Sequence, residues 1–133
     1  MHLTSLVPVL SVLDVAKTLA FYQEALQFHV LHRYEQDGHL HWAMAKSGEI
    51  ALMFARCPTA QGVLLPAKKE DLVLYFQTDD VATLHATLTA KGYSVSAIRG
   101  TLYGMQECDL TDPNGYQLWF GQATNTPSSV HEA

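Results

Sequence analysis

Apolar and polar positions follow the same changing rhythm twice along this chain. Leu6 to Leu13 is apolar and β-branched, as a strand requires. Asp14 follows, and Val15, Leu19, Tyr22 and Leu26 then recur near helical spacing, which predicts a helix over about Val15 to Ala25 capped by the aspartate. Three short runs come next, Phe28 to Tyr34, His39 to Lys46 and Ile50 to Ala55. Asp37-Gly38 and Ser47-Gly48 lie between them as turn signals, so the runs read as strands. The second half repeats the order. Leu72 to Thr78 is a predicted strand, Asp79 or Asp80 a cap, and Val81 to Lys91 a helix closed by Gly92. Ser94 to Ile98, Met105 to Thr111 and Tyr116 to Gly121 are predicted strands, the last two joined by the turn Asp112-Pro113-Asn114-Gly115.

The repeat is visible residue by residue. Ser11-Val12-Leu13-Asp14-Val15-Ala16 is echoed by Gln77-Thr78-Asp79-Asp80-Val81-Ala82, which puts Asp14 and Asp80 66 positions apart. The same offset lays Leu52-Met53-Phe54 on Leu118-Trp119-Phe120, and with one residue of slippage Phe28 falls on Tyr93. Two copies of one supersecondary unit explain this; a solenoid needs more and shorter repeats. The organisation expected is a single α+β domain over residues 1–133. Its parts are a first module at about 4–57, a linker at 58–71 holding Pro58, Gly62 and Pro66, a second module at about 72–122, and a tail at 123–133.

Composition narrows the function classes. Hydrophobic residues make up 48% and charged residues 16%, as in a folded globular chain. A net charge of −5 argues against nucleic acid and suits a neutral or cationic small ligand. No basic leader precedes Leu6, and no apolar run approaches the roughly 20 residues of a membrane helix. A cytoplasmic protein is the expectation. Cys57 and Cys108 are the two cysteines and sit in neither a metal knuckle nor a CxxC, so they read as thiols in a reducing compartment.

The paired βαβββ modules carry several further marks: Phe21-Tyr22 on the helix, Leu26-Gln27-Phe28, Asp79-Asp80-Val81, and Tyr103-Gly104-Met105 leading to Asp112-Pro113-Asn114-Gly115. In this order they resemble the vicinal oxygen chelate superfamily, which includes glyoxalase I, extradiol dioxygenases, fosfomycin-resistance enzymes and bleomycin-resistance proteins. The resemblance covers about Leu6 to Gln122. It implies a cupped mixed sheet, a homodimer, and, in the enzymes, metal ligands on the first and last strands of each module.

Those ligand positions fall on Val7, Met53, Val73 and Trp119. Valine and tryptophan offer no lone pair, and a lone thioether does not hold a hard divalent ion. A register error of one residue substitutes Leu6, Pro8, Leu52, Phe54, Leu72, Leu74, Leu118 and Phe120, which serve no better. No metal and no other cofactor is therefore expected. Of the seven histidines, His39 and His41 alone form a pair that shares a strand face, which is half a site.

What the resemblance then implies is the bleomycin-resistance branch, whose members bind a ligand in the cup without chemistry on it. Strand alternation sends Val7, Val9, Ser11, Met53, Val73, Tyr75, Gln77, Gln117 and Trp119 to the cup face, with His39, His41, Ala43, Glu107 and Asp109 following by the same rule and Trp42 and Met44 packing beneath the helices unless a bulge reverses them. The ligand-binding set read from the sequence is Val7, Val9, His41, Met53, Val73, Tyr75, Tyr103, Met105, Glu107 and Trp119. Tyr75, Trp119, Met53 and Met44 equally fit a sheet interior, and Glu107 and Asp109 equally fit solvated edges. Two classes stay open: a metal-free protein that sequesters an aromatic or cationic ligand, as an antibiotic-resistance protein does, and an enzyme using His41, Glu107 or Asp109 as a general base. A homodimer burying Phe21, Tyr22 and the strand from Leu6 to Val12 is the assembly expected.

Overall fold

The computed structural model describes residues 1–57 and 72–124. The linker expected at 58–71 lies outside the described residues, as does most of the expected tail; Ala123 belongs instead to the last strand. The chain divides into two compact units, Met1–Pro66 and Ala67–Ala133.

In the first unit the order is β1 (Val9–Val12), α1 (Val15–Leu26), β2 (His29–Gln36), β3 (His39–Ser47) and β4 (Ile50–Arg56). The sheet runs β1-β4-β3-β2, with β1 parallel to β4 and the other pairs antiparallel. Asp14 starts α1 by accepting the Lys17 N–H on its carboxylate at 3.0 Å. Gln27 ends it in the left-handed region at φ 60°, its N–H on the Gln23 carbonyl. One sheet face, Leu10, Val12, Ala43, Ala45, Leu52 and Phe54, is buried, as are Val15, Leu19, Tyr22 and Ala25 of α1, which lies against β3 and β4. Tyr22 is wholly enclosed, its ring 4.9 Å from that of Phe54 and edge-on to Phe28, so it cannot serve the interface expected of it.

One face assignment reverses. Trp42 and Met44 pair with Ala55 and Met53, on the side away from α1, while Ala43 pairs with Phe54 and is buried. The cause is a bulge. Tyr34 opposes Trp42 but Glu35 opposes Leu40, so His41 is an extra residue that rephases β3. Counting by twos from His39 therefore fails beyond that point.

The second unit repeats the plan with β5 (Val73–Gln77), α2 (Val81–Ala90), β6 (Arg99–Gly100), β7 (Met105–Thr111) and β8 (Gln117–Ala123), in the order β5-β8-β7-β6. The sequence offset reappears as register: Val9 opposes Met53 and Leu10 opposes Phe54, while Tyr75 opposes Trp119 and Phe76 opposes Phe120. Asp80 caps α2, accepting the Thr83 N–H at 3.0 Å and its hydroxyl at 2.7 Å, which holds the Asp80 carboxyl below the usual carboxylate range. Gln122 of β8 reaches the same helix end, accepting the Val81 N–H at 2.8 Å. Val81, Leu88, Cys108, Leu110, Leu118 and Phe120 form the core.

The strand expected at Ser94 to Ile98 is absent; the ladder to β7 is confined to Arg99–Gly100. Ser96 is the reason. Its N–H donates to the Asp109 carbonyl, but the Asp109 N–H donates to the Ser96 hydroxyl, both at 2.9 Å. A side-chain oxygen has taken the place of a ladder carbonyl, which keeps the contact without the strand. Both units are mixed four-stranded sheets, each with one helix, an α+β fold as expected. Among the described residues no helix is long and apolar enough to cross a membrane.

Candidate ligand site on the second unit

Alternation along β5, β7 and β8 puts Phe76, Cys108, Leu110, Leu118 and Phe120 on the helix side. Tyr75, Gln77, Glu107, Asp109, Trp119 and Gly121 are thereby left on the open face. At its centre is Glu107, 1% exposed. The Tyr75 hydroxyl donates to its Oε2 at 2.7 Å and the Tyr103 hydroxyl donates to the same oxygen at 2.6 Å. Arg99, opposite Glu107 on β6, places Nη2 3.8 Å from Oε1, beyond hydrogen-bond range. Its Nη1 pairs with Asp109 at 3.0 Å, and its guanidinium stands 5.6 Å over the Trp119 ring. Tyr75 meets Trp119 edge-on at 6.5 Å.

The electrostatics fix who donates. Burial, then the bond and charge of Glu107, hold the Tyr75 phenol far above its ordinary value. For Tyr103 the bond to Glu107 is the larger cause. Both phenols therefore stay protonated donors at neutral pH. Burial, and after it Asp109, push the Cys108 thiol up, away from nucleophilic use. Glu107 Oε2 is committed to two hydroxyls, which leaves little of it for proton abstraction.

The sequence-family comparison matches residues 2–120 to the glyoxalase/bleomycin resistance protein/dioxygenase superfamily. The chain belongs to that superfamily. Solved structures agree in fold. TioX from Micromonospora sp. ML1 superposes with a TM-score of 0.75 at 17% identity, over 90% of this chain and 98% of that one. TnmS3, an antibiotic binding protein from Streptomyces sp. CB03234, gives 0.73 at 24% identity, over 93% and 99%. A bleomycin-binding protein complexed with bleomycin gives 0.68 at 22%, over 90% and 98%. No curated protein matches by sequence.

The metal of the superfamily's enzymes does not fit the residues present. Val7 is half-buried just before β1, Met53 opposes Val9 and Met44, Val73 opposes Gln117, and Trp119 opposes Tyr75 and Asp109. None of the four carries an oxygen or nitrogen donor suited to a divalent ion. Among the described residues no three His, Cys, Asp or Glu side chains converge to hold one. His41, at the bulge, sets its ring edge-on to Tyr34 at 6.4 Å.

The expected site residues thus fall into two groups. Tyr75, Tyr103, Glu107 and Trp119 come together in the second unit, with Val73 two residues before Tyr75 on β5. Met105 lines a hollow beside them with Gln77, Thr78, Asp79, Gly121 and Gln122. Val7, Val9, His41 and Met53 belong to the first unit, where Val9 is well exposed and opposes Met53. Sequence reasoning missed Arg99, which lay just past a wrongly drawn strand. It also missed Gly121, although a glycine inside a strand signals a close approach of another group.

Proposed function

We propose that this superfamily member binds a small molecule without transforming it, sequestering an aromatic or cationic ligand. The observation that carries the reading is the buried Glu107 carboxylate framed by Tyr75, Tyr103 and Trp119. It supplies a few fixed polar anchors among ring surfaces, as ligand sites require. Glu107 and Asp109 against Arg99 leave a net negative cluster, which favours a cation. The non-ligating Val7, Met53, Val73 and Trp119 support a metal-free protein. The folds of TnmS3, an antibiotic binding protein, and of the bleomycin-binding protein support antibiotic-like ligands. A cytoplasmic homodimer is part of the proposal, with exposed Leu6 and Val9 as its apolar surface.

The test is a thermal-shift and fluorescence screen containing bleomycin, planar aromatic cations and their neutral isosteres. Saturable binding with preference for cations, falling with salt, is the expected result. About one Ni, Zn, Fe or Mn per chain after clean purification opposes the metal-free reading. A monomer mass of 14.7 kDa by light scattering at micromolar protein opposes the dimer. Glu107→Gln separates a binder, in which affinity softens, from an enzyme, in which turnover is lost.

A further inference from the structure

The bond between Tyr75 and Glu107 joins strands that are not neighbours. In the order β5-β8-β7-β6, β8 lies between them, so the tyrosine must pass over it. Gly121 is the residue it passes over: Gln77 and Glu107 are its partners on either side, and Tyr75 is two residues before Gln77 on the same face. A Cβ at position 121 would overlap the Tyr75 hydroxyl oxygen and stand 2.6 Å from Cζ and 3.0 Å from Cε1. The backbone does not need a glycine there, because Gly121 is not among the left-handed glycines Gly38, Gly48, Gly92, Gly104 and Gly115. Its missing side chain matters as space, not as conformational freedom.

We infer that Gly121 is a positioning residue: its bare Cα is the clearance that lets Tyr75 span β8 and donate to Glu107. That one position decides whether the open face of the second unit carries a fixed, hydrogen-bonded tyrosine or a loose one. In the first unit the matched residues are Ala55, Val9 and Trp42, so clearance, phenol and carboxylate are all missing together. What the fixed phenol does for a ligand rests on the function proposed above. The clearance itself does not, and its test needs no ligand.

The experiment compares wild type, Gly121→Ala, Tyr75→Ala and the double variant by denaturant unfolding, with a phenolate absorbance titration of the first two. Subtracting the matching Tyr75→Phe proteins isolates the Tyr75 transition. Gly121→Ala is expected to lower the folding equilibrium constant about tenfold, the size of one hydrogen bond to a charged acceptor. It should also return the Tyr75 transition toward about pH 10, the ordinary tyrosine value. In the Tyr75→Ala background the same substitution is expected to be neutral or mildly stabilising. An equal loss in both backgrounds, or a Tyr75 transition as high as in wild type, overturns the inference. Should Gly121→Ala alone fail to fold, a folded double variant supports the inference and an unfolded one overturns it. Trp119→Ala, which keeps the clearance and the bond to Glu107, is expected to leave the Tyr75 transition above that of Gly121→Ala.

Discussion

The open faces of the two units carry different chemistry on matched backbones. Where the first has Val9, Ser11, Trp42, Met44, Met53 and Ala55, the second has Tyr75, Gln77, Glu107, Asp109, Trp119 and Gly121. The helix-facing sides differ far less: Leu52 matches Leu118, Phe54 matches Phe120, and Ala43 matches Cys108. Packing constrains a buried face to apolar residues of similar volume, whereas an open face answers only to what it meets. The two units share one scaffold, but one face is mostly apolar and thioether-rich and the other a hydrogen-bonded cluster of phenols, carboxylates and a guanidinium.

The largest effects test the shared half of the comparison. Phe54→Ala and Phe120→Ala remove fully buried rings from corresponding rungs, and each is expected to cost about 3–5 kcal/mol in denaturant unfolding. A cost below 1 kcal/mol at either position would break the equivalence of the two cores.

Next come the faces that differ. Glu107→Gln takes the charge from a buried acceptor of two phenols and is expected to cost about 2 kcal/mol, against less than about 1 kcal/mol for Trp42→Phe at the matched rung. Equal costs would erase the contrast. The same cluster sets an alkaline limit. A phenol whose folded pKa is raised contributes stability that is fully present below its unfolded value near 10 and is lost as pH rises through the folded value. Wild type is therefore expected to lose stability relative to Tyr75→Phe only above about pH 10, as followed by circular dichroism. A difference that changed between pH 6 and 8 would assign the linkage to another group.

Smaller effects belong to the ligand and the caps. Trp119→Ala is expected to weaken a screened ligand about tenfold, while Met53→Ala at the matched rung does less. Arg99→Gln bares the Trp119 ring, releases Asp109 and removes the nearby positive charge from Glu107, so a planar aromatic cation should bind about threefold to tenfold more tightly. Weaker binding would mean that Arg99 itself holds the ligand. At the helix ends, Gln27 sits at φ 60° where the second unit has Gly92 at φ 92°. Gln27→Gly is expected to stabilise the first unit by about 1 kcal/mol by relieving that conformation, read as a higher denaturant midpoint.

The repeat, both helices, their aspartate caps and most strands were legible because each has a local signature: helical spacing, Asp before an apolar run, Asp-Gly and Asp-Pro-Asn-Gly turns. The open-face grouping of Tyr75, Glu107, Asp109 and Trp119 was legible because β5, β7 and β8 keep strict alternation. In the first unit the bulge at His41 defeated the same rule, since an extra residue leaves no mark in the apolar pattern. Arg99 was illegible for a different reason, and Gly121 carried only the general mark of a glycine inside a strand. Both act across a neighbouring strand, Arg99 over Trp119 and Gly121 beneath Tyr75, and such contacts depend on strand order, which a linear pattern does not carry. The strand misplaced at Ser94 to Ile98 fits the apolar alternation there; a serine hydroxyl replacing a ladder carbonyl was invisible to it.

The most direct test of the central claim, that the Trp119–Glu107 face of the second unit holds the ligand, uses the fluorescence of one residue. The chain has two tryptophans, so Trp42→Phe leaves Trp119 as the single indole. Titrating that variant with bleomycin and with planar aromatic cations is expected to give a saturable change in Trp119 emission, with an affinity that falls as salt rises and drops further in Glu107→Gln. A ligand that stabilises the protein in thermal shift yet leaves Trp119 emission unchanged would place the site elsewhere and contradict the account.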